Sequence, residues 1–110
     1  MPKYVTFFSY TGAAAKAMID RPSDRNAAAK ALVESLGGKL EAFYWMSGSY
    51  DGFLIAQLSD GMTAVALSAA ASSSGAFTDF ETHEIFDRDA QAQIVKSAKT
   101  ATTAYKPPTA

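Results

Sequence analysis

Two apolar runs, Leu40–Met46 and Phe53–Leu58, flank Ser47-Gly48-Ser49-Tyr50-Asp51-Gly52. Glycines and serines interrupt the hydrophobic pattern over only a few residues there, which reads as a hairpin joining two strands. Glycine suits the turn because it takes positive φ without steric cost. A hairpin at mid-chain constrains everything else. The chain before it reads strand then helix, and the chain after it reads helix then strand.

Lys3–Tyr10 is the first strand, with Tyr4, Thr6, Phe8 and Tyr10 on one face and Val5, Phe7 and Ser9 on the other. Large apolar groups on both faces predict a central strand covered on both sides. Thr11-Gly12 breaks it, Ala13–Asp20 predicts a short helix, and Arg21-Pro22 ends that helix. Ser23 is the expected cap of a second helix running to about Leu36. Ala28, Ala31, Leu32 and Ser35 or Leu36 form its expected inward stripe, with Val33 on the flank and Arg25, Lys30 and Glu34 in water. Gly37-Gly38 closes it as a left-handed cap.

In the second strand, Lys39–Met46, alternation sets Leu40, Ala42, Tyr44 and Met46 against Glu41, Phe43 and Trp45. In the third, Leu54, Ala56 and Leu58 fit a helix-covered face and Phe53, Ile55 and Gln57 the opposite one. Ser59-Asp60 caps a helix whose expected stripe is Met62, Val65, Ala66, Ala69 and Ala70, fraying at Ser72–Gly75. Ala76–Phe86 is the most polar strand, with Phe77, Asp79, Glu81, His83 and Ile85 on one face. It is expected at a sheet edge, where charge discourages unwanted pairing. Asp87-Arg88-Asp89 caps a last helix to roughly Ala101. Tyr105-Lys106-Pro107-Pro108 is an extended tail, free or docked through Tyr105.

This order predicts an α+β, ferredoxin-like split βαβ plan: a four-stranded antiparallel sheet, helices on one face, and an added C-terminal helix. Residues 1–89 read as the domain and 90–110 as the added helix and tail. At 110 residues with net charge −1 and no lysine–arginine block, neither nucleic acid nor an anionic membrane surface is an expected partner. No cysteine is present, which excludes disulfides, thiolate metal sites and cysteine nucleophiles. Pro2-Lys3 leads directly into a strand, and no run approaches the roughly 18 apolar residues of a membrane span, so a cytoplasmic protein is expected.

Helices of this plan cover one sheet face. The other is expected to present Tyr4, Phe8, Tyr10, Phe53 and Ile55. Tyr44 or Trp45 joins them according to a register that a one-residue slip inverts. Such a face exceeds what a monomer leaves exposed, so a second copy is expected to pack sheet on sheet, as a homodimer or larger homo-oligomer. Tyr4, Phe8, Tyr10, Tyr44, Trp45 and Phe53 are also the candidate wall of a site for a small apolar or aromatic ligand, with tyrosine hydroxyls converging between helices and sheet.

Asp51 has two readings. Its carboxylate bonds backbone amides while Tyr50 packs under the hairpin, or it acts as a general base at the mouth of a cleft. His83 is the only histidine. Asp79 and Glu81 share its strand face, a strip that reads as a solvated edge rather than a metal site. No metal and no cofactor are expected. The bland function is a small homo-oligomer that binds an apolar molecule or serves as an assembly module. The catalytic alternative is a cofactor-independent enzyme using His83, Asp51 and a tyrosine among Tyr4, Tyr10 and Tyr44 as acid and base.

Gly48-Ser49-Tyr50-Asp51 resembles the turn for which the GYD domain family is named. Pro2-Lys3-Tyr4-Val5, Tyr10-Thr11, Arg25, Leu36-Gly37-Gly38-Lys39, Phe43-Tyr44-Trp45, Asp60 and Phe80-Glu81-Thr82 fit the family pattern in order. The resemblance covers approximately Met1–Asp89. Gln57-Leu58-Ser59-Asp60 departs from it, since relatives carry an acidic residue and a Pro-Asp pair there. The resemblance implies a ferredoxin-like fold of the dimeric α+β barrel type and no established reaction; by analogy with that fold type, the catalytic alternative would be a cofactor-independent monooxygenase or isomerase.

Overall fold

The computed structural model describes residues 1–109. They form β1 (Lys3–Tyr10), α1 (Gly12–Asp20), α2 (Arg25–Ser35), β2 (Lys39–Trp45), β3 (Gly52–Gln57), α3 (Gly61–Ser73), β4 (Phe77–Ile85) and α4 (Arg88–Thr102). The strands make one antiparallel sheet in the order β2-β3-β1-β4, which is the split βαβ plan with the polar β4 at an edge.

Each of these four helices starts on an oxygen side chain. Thr11, Asp24, Asp60 and Asp87 accept from the backbone N–H groups of Ala14, Ala27, Thr63 and Ala90. The cap of α2 is therefore Asp24 and not Ser23. The free N–H of Ala27 lies three residues beyond Asp24, within reach of its carboxylate at 3.0 Å. Ser23 instead accepts a bond from the Arg25 guanidinium. Gly37 ends α2 at φ 76°, in the left-handed cap its sequence predicts.

Strand pairing decides the faces. Tyr4 lies opposite Ala56 and Phe8 opposite Gly52. Tyr4, Thr6 and Phe8 therefore share the helix-covered face with Leu54 and Ala56, and all five are buried. Val33 of α2, Ala64 and Leu67 of α3, and Leu58 complete this core. Tyr4, Phe8 and Tyr10 are thus not on the open face, where the sequence reading put them. The open face carries Val5 and Phe7 beside Phe53 and Ile55.

Two irregularities override simple alternation. The β2–β3 register shifts between Leu40 and Ala42, with Glu41 as the extra residue. Leu40 and Phe43 consequently both pack toward the core, while Ala42 and Tyr44 lie opposite Ile55 and Phe53 on the open face. Tyr44 joins the open face and Trp45 does not. The β1–β4 register shifts between Ser9 and Tyr10, with Thr78 as the extra residue. That brings Phe77 onto the same face as Phe80, away from Asp79, Glu81 and His83. A bulge of this kind re-aims the side chains on one side of it.

The helix stripes also rotate. On α3 the buried residues are Ala64, Leu67 and Ala71, whereas Met62 and Val65 are 80% and 68% exposed. This helix is apolar nearly all round, so periodicity selects no face. On α2 the stripe centres on Val33, which is fully buried, with Ala29, Leu32 and Leu36 beside it and Ala31 exposed.

The last helix, α4, has no buried residue and makes no extended packing contact with any other element. Ile94 and Val95 stay about half exposed or more, at 49% and 60%. The tail does not dock through Tyr105, whose side chain is exposed. With α4 projecting, the radius of gyration is 17.8 Å, against about 13 Å for a compact chain of this length. Among the described residues no helix packs across the open sheet face. Among the described residues no helix is long and apolar enough to cross a membrane.

Candidate functional site

Alanine is the commonest helix residue on the cavity wall, beside Met18, Leu32, Val33 and Leu67. Ala14 and Ala17 of α1, Ala28 and Ala29 of α2, and Ala70 and Ala71 of α3 face the sheet with nothing longer than a methyl group. Side chains this short do not span the gap between helices and sheet, although cores usually close to organic-crystal density. The result is a cavity of about 630 Å³, within the range of small-molecule sites. Its floor is aromatic.

The floor rings are ordered. Phe8 stacks on Phe43 at 5.5 Å between centroids, and Tyr10 stacks on Phe77 at 5.0 Å. Phe77 meets Phe80 edge-on at 5.1 Å, and Tyr10 lies 5.4 Å from Trp45. The two bulges place Phe43 and Phe77 in this set. A second depression shares Met18, Ser23, Arg25 and Phe43 with the cavity and carries it outward past Pro22 to Trp45.

Polar groups gather at one end, where α1 passes into α2. Arg21, Ser23, Arg25 and Tyr10 line the cavity there. Burial pushes the Tyr10 hydroxyl above its ordinary pKa of 10.0, the nearby Arg25 guanidinium draws it back, and Asp51 adds to the rise. Tyr10 therefore stays a neutral phenol that can donate a hydrogen bond. Arg25, expected on the wet side of α2, is half-buried here. The signal was present in the sequence, since Arg25 stands three and four residues before Ala28 and Ala29 and so shares their stripe.

The hairpin motif does not line the cavity and acts on the backbone of its floor strand. Asp51 N–H donates to the Phe8 carbonyl at 2.8 Å, and its own carbonyl accepts from Met46 N–H at 2.9 Å. Its carboxylate Oδ2 accepts from Tyr10 N–H at 2.8 Å. Asp51 thus continues the β1–β3 ladder past the end of β3, using a side-chain oxygen where a backbone carbonyl would stand. Gly48 takes φ 117°, which favours glycine, and Gly52 leaves no room for a side chain. A Cβ on Gly52 would lie 2.5 Å from the Tyr44 carbonyl oxygen and 2.7 Å from Cζ of Phe8.

Tyr50 points the other way, over the open face. Its ring lies 5.5 Å from that of Phe7, and its hydroxyl donates to Glu81 Oε2 at 2.9 Å. His83 Nε2 approaches the same oxygen at 3.5 Å. The Tyr50 bond, aided by His83, holds the Glu81 carboxyl below its ordinary range, and the same bond raises Tyr50. The motif therefore ties three strands together: Asp51 to β1 and Tyr50 to β4.

The sequence-predicted set divides accordingly. Phe8 and Tyr10 line the cavity, Trp45 flanks its outer groove, and Tyr4 is buried in the core. Tyr44 and Phe53 lie on the open face, 5.6 Å apart. His83 and Asp51 line neither the cavity nor the groove, and they are not brought together. Among the described residues no group of three or more His, Asp or Glu side chains is placed to hold a metal ion.

Fold and cavity together define a ferredoxin-like α+β domain with an apolar chamber between its sheet and its helices. The GYD domain family model matches residues 4–95, and the chain belongs to the GYD domain family. No curated protein matches it.

Proposed function

We propose that this protein binds a small apolar or aromatic molecule in the chamber between sheet and helices, and does so as a homo-oligomer paired through the open sheet face. The observation that carries the binding reading is the cavity of about 630 Å³, floored by aromatic rings and walled by alanine. The chamber opens to water past Ala17, Arg21, Ser23 and Ala70, which are exposed, and an apolar occupant would take its aromatic floor out of that water.

Pairing of copies is supported by the open face. Val5, Phe7, Phe53 and Ile55 form an apolar centre, framed by Lys3, Glu41 and Gln57 at one side and Glu81 and His83 at the other. An apolar centre with a polar rim is the usual anatomy of an interface, and a two-fold axis would set the patch against itself. The catalytic alternative asks for an acid–base pair inside the chamber, and neither His83 nor Asp51 lines it.

Native mass spectrometry of freshly purified protein tests the binding reading. The expected result is a retained small molecule that the cavity-filling variant Ala71→Trp no longer carries. Absence of any bound molecule, together with no response to a panel of apolar compounds by ligand-observed NMR, would overturn it. Light scattering after size exclusion tests the pairing. The expected species is a multimer that Ile55→Asp converts to monomer, and a wild-type monomer at micromolar concentration would remove that part.

A further inference from the structure

The cavity wall is lopsided in charge. Among the described residues Arg21 and Arg25 are the only ionisable side chains lining it besides Tyr10, and both stand at the same end. Among the described residues neither guanidinium has a carboxylate within 4.0 Å, which Lys3, Lys16 and Lys30 have and the exposed Lys39, Arg88, Lys96 and Lys99 do not. The one side-chain bond formed by Arg25 goes to the Ser23 hydroxyl at 3.2 Å. Nearby carboxylates are already engaged: Asp24 accepts from Ala27 N–H and Asp51 from Tyr10 N–H.

Arg25 is partly buried and Arg21 exposed, and a guanidinium without an anion keeps its fork of donors free for a bidentate carboxylate partner. A neutral occupant leaves Arg25 desolvated and unpaired, and a cationic one adds repulsion. We propose, resting on the binding reading above, that the natural ligand is an amphipathic organic anion. Its flat or chain-like apolar body lies on the Phe8–Phe43 and Tyr10–Phe77 floor, and a single carboxylate head meets Arg25 and Arg21, with the Tyr10 hydroxyl as a further donor. A monoanion fits better than a phosphate ester because Asp24 borders the outer groove and would repel added negative charge.

Two dyes of nearly the same shape separate the parts of this inference. N-phenyl-1-naphthylamine is neutral, and 1-anilinonaphthalene-8-sulfonate is the same skeleton with one negative charge. The expected result is that both bind, that Ala71→Trp (or Ala14→Trp, should the first variant unfold) blocks both, and that the anion binds roughly tenfold or more tightly, the scale of a charge-assisted hydrogen bond. Arg25→Gln with Arg21→Gln should abolish that preference while leaving the neutral dye within about twofold, and Arg25→Lys should restore part of it. If the neutral dye binds and is blocked but the anion shows no preference, or keeps it without the arginines, the anion inference fails and the chamber stands. If neither dye responds to the cavity-filling variants, the chamber fails as a binding site and the inference falls with it.

Discussion

The two faces of the sheet are built from the same strands and solve different problems. Leu54 and Ile55 are adjacent on β3, yet Leu54 is 5% exposed beneath the helices and Ile55 faces an uncovered surface. The covered face is complete in one chain and still contains a chamber, because alanine forms its roof. The open face lines neither the chamber nor its groove and is incomplete, because α4 projects away instead of folding across it. Burial within one chain thus belongs to one face, and association is proposed for the other. The hairpin serves both, with Asp51 fastened to the backbone at the chamber floor and Tyr50 laid over the open side.

Substitutions on β3 sharpen this contrast most. Leu54→Ala should cost about 2–5 kcal/mol, as buried leucine truncations do, and the loss should not depend on protein concentration. Phe53→Ala, one residue earlier, should cost far less in dilute protein and should remove any concentration dependence of the urea midpoint. Equal, concentration-independent losses would erase the distinction between the faces.

Gly52→Ala comes next. Its new methyl meets a backbone oxygen and the Phe8 ring, so about 1–3 kcal/mol of overpacking cost is expected. Because the clash is with Phe8, the variant should also perturb ligand-induced fluorescence changes at Trp45. Asp51→Ala should cost about 1–3 kcal/mol by leaving the Tyr10 amide without its acceptor. Asp51→Asn should cost less, since the amide oxygen still accepts, and an equal loss in both variants would show that the carboxylate charge matters beyond this bond.

The smallest effect concerns the open face and pH. Glu81 is held below its ordinary 4.5, so its contribution is present above that value and is lost as pH falls through the lower folded value. Tyr50 is raised above its ordinary 10.0, so its contribution is present below that value and is lost as pH rises through the higher folded value. Urea midpoints of wild type should therefore show a plateau to whose acid limb Glu81 contributes beside Glu41 and Asp60, and to whose alkaline limb Tyr50 contributes beside Tyr4 and Tyr10. Tyr50→Phe should weaken both limbs without removing either, and an unchanged pH profile would count against the Tyr50–Glu81 link.

Much of the fold is legible along the chain. The hairpin, the Gly37 stop, the Asp60 and Asp87 caps and the edge position of the polar strand follow from local chemistry that acts within a few residues. Less of the site is. Arg25 reads as a solvated charge until its stripe is phased by Ala28 and Ala29. Phe77 reads as a partner of His83 until Thr78 is seen to be an extra residue. Met62 and Val65 look like core because α3 offers apolar groups in every direction.

The order of elements and the family were fixed by the residues themselves, because turns, caps and apolar runs are short-range facts. Which side each aromatic ring faces was decided only by pairing between distant strands, since a bulge of one residue inverts everything beyond it. The chamber, the two unpaired arginines at its mouth and the uncovered sheet likewise exist only once the helices have docked, because empty space and missing partners are properties of the packed chain and not of any segment.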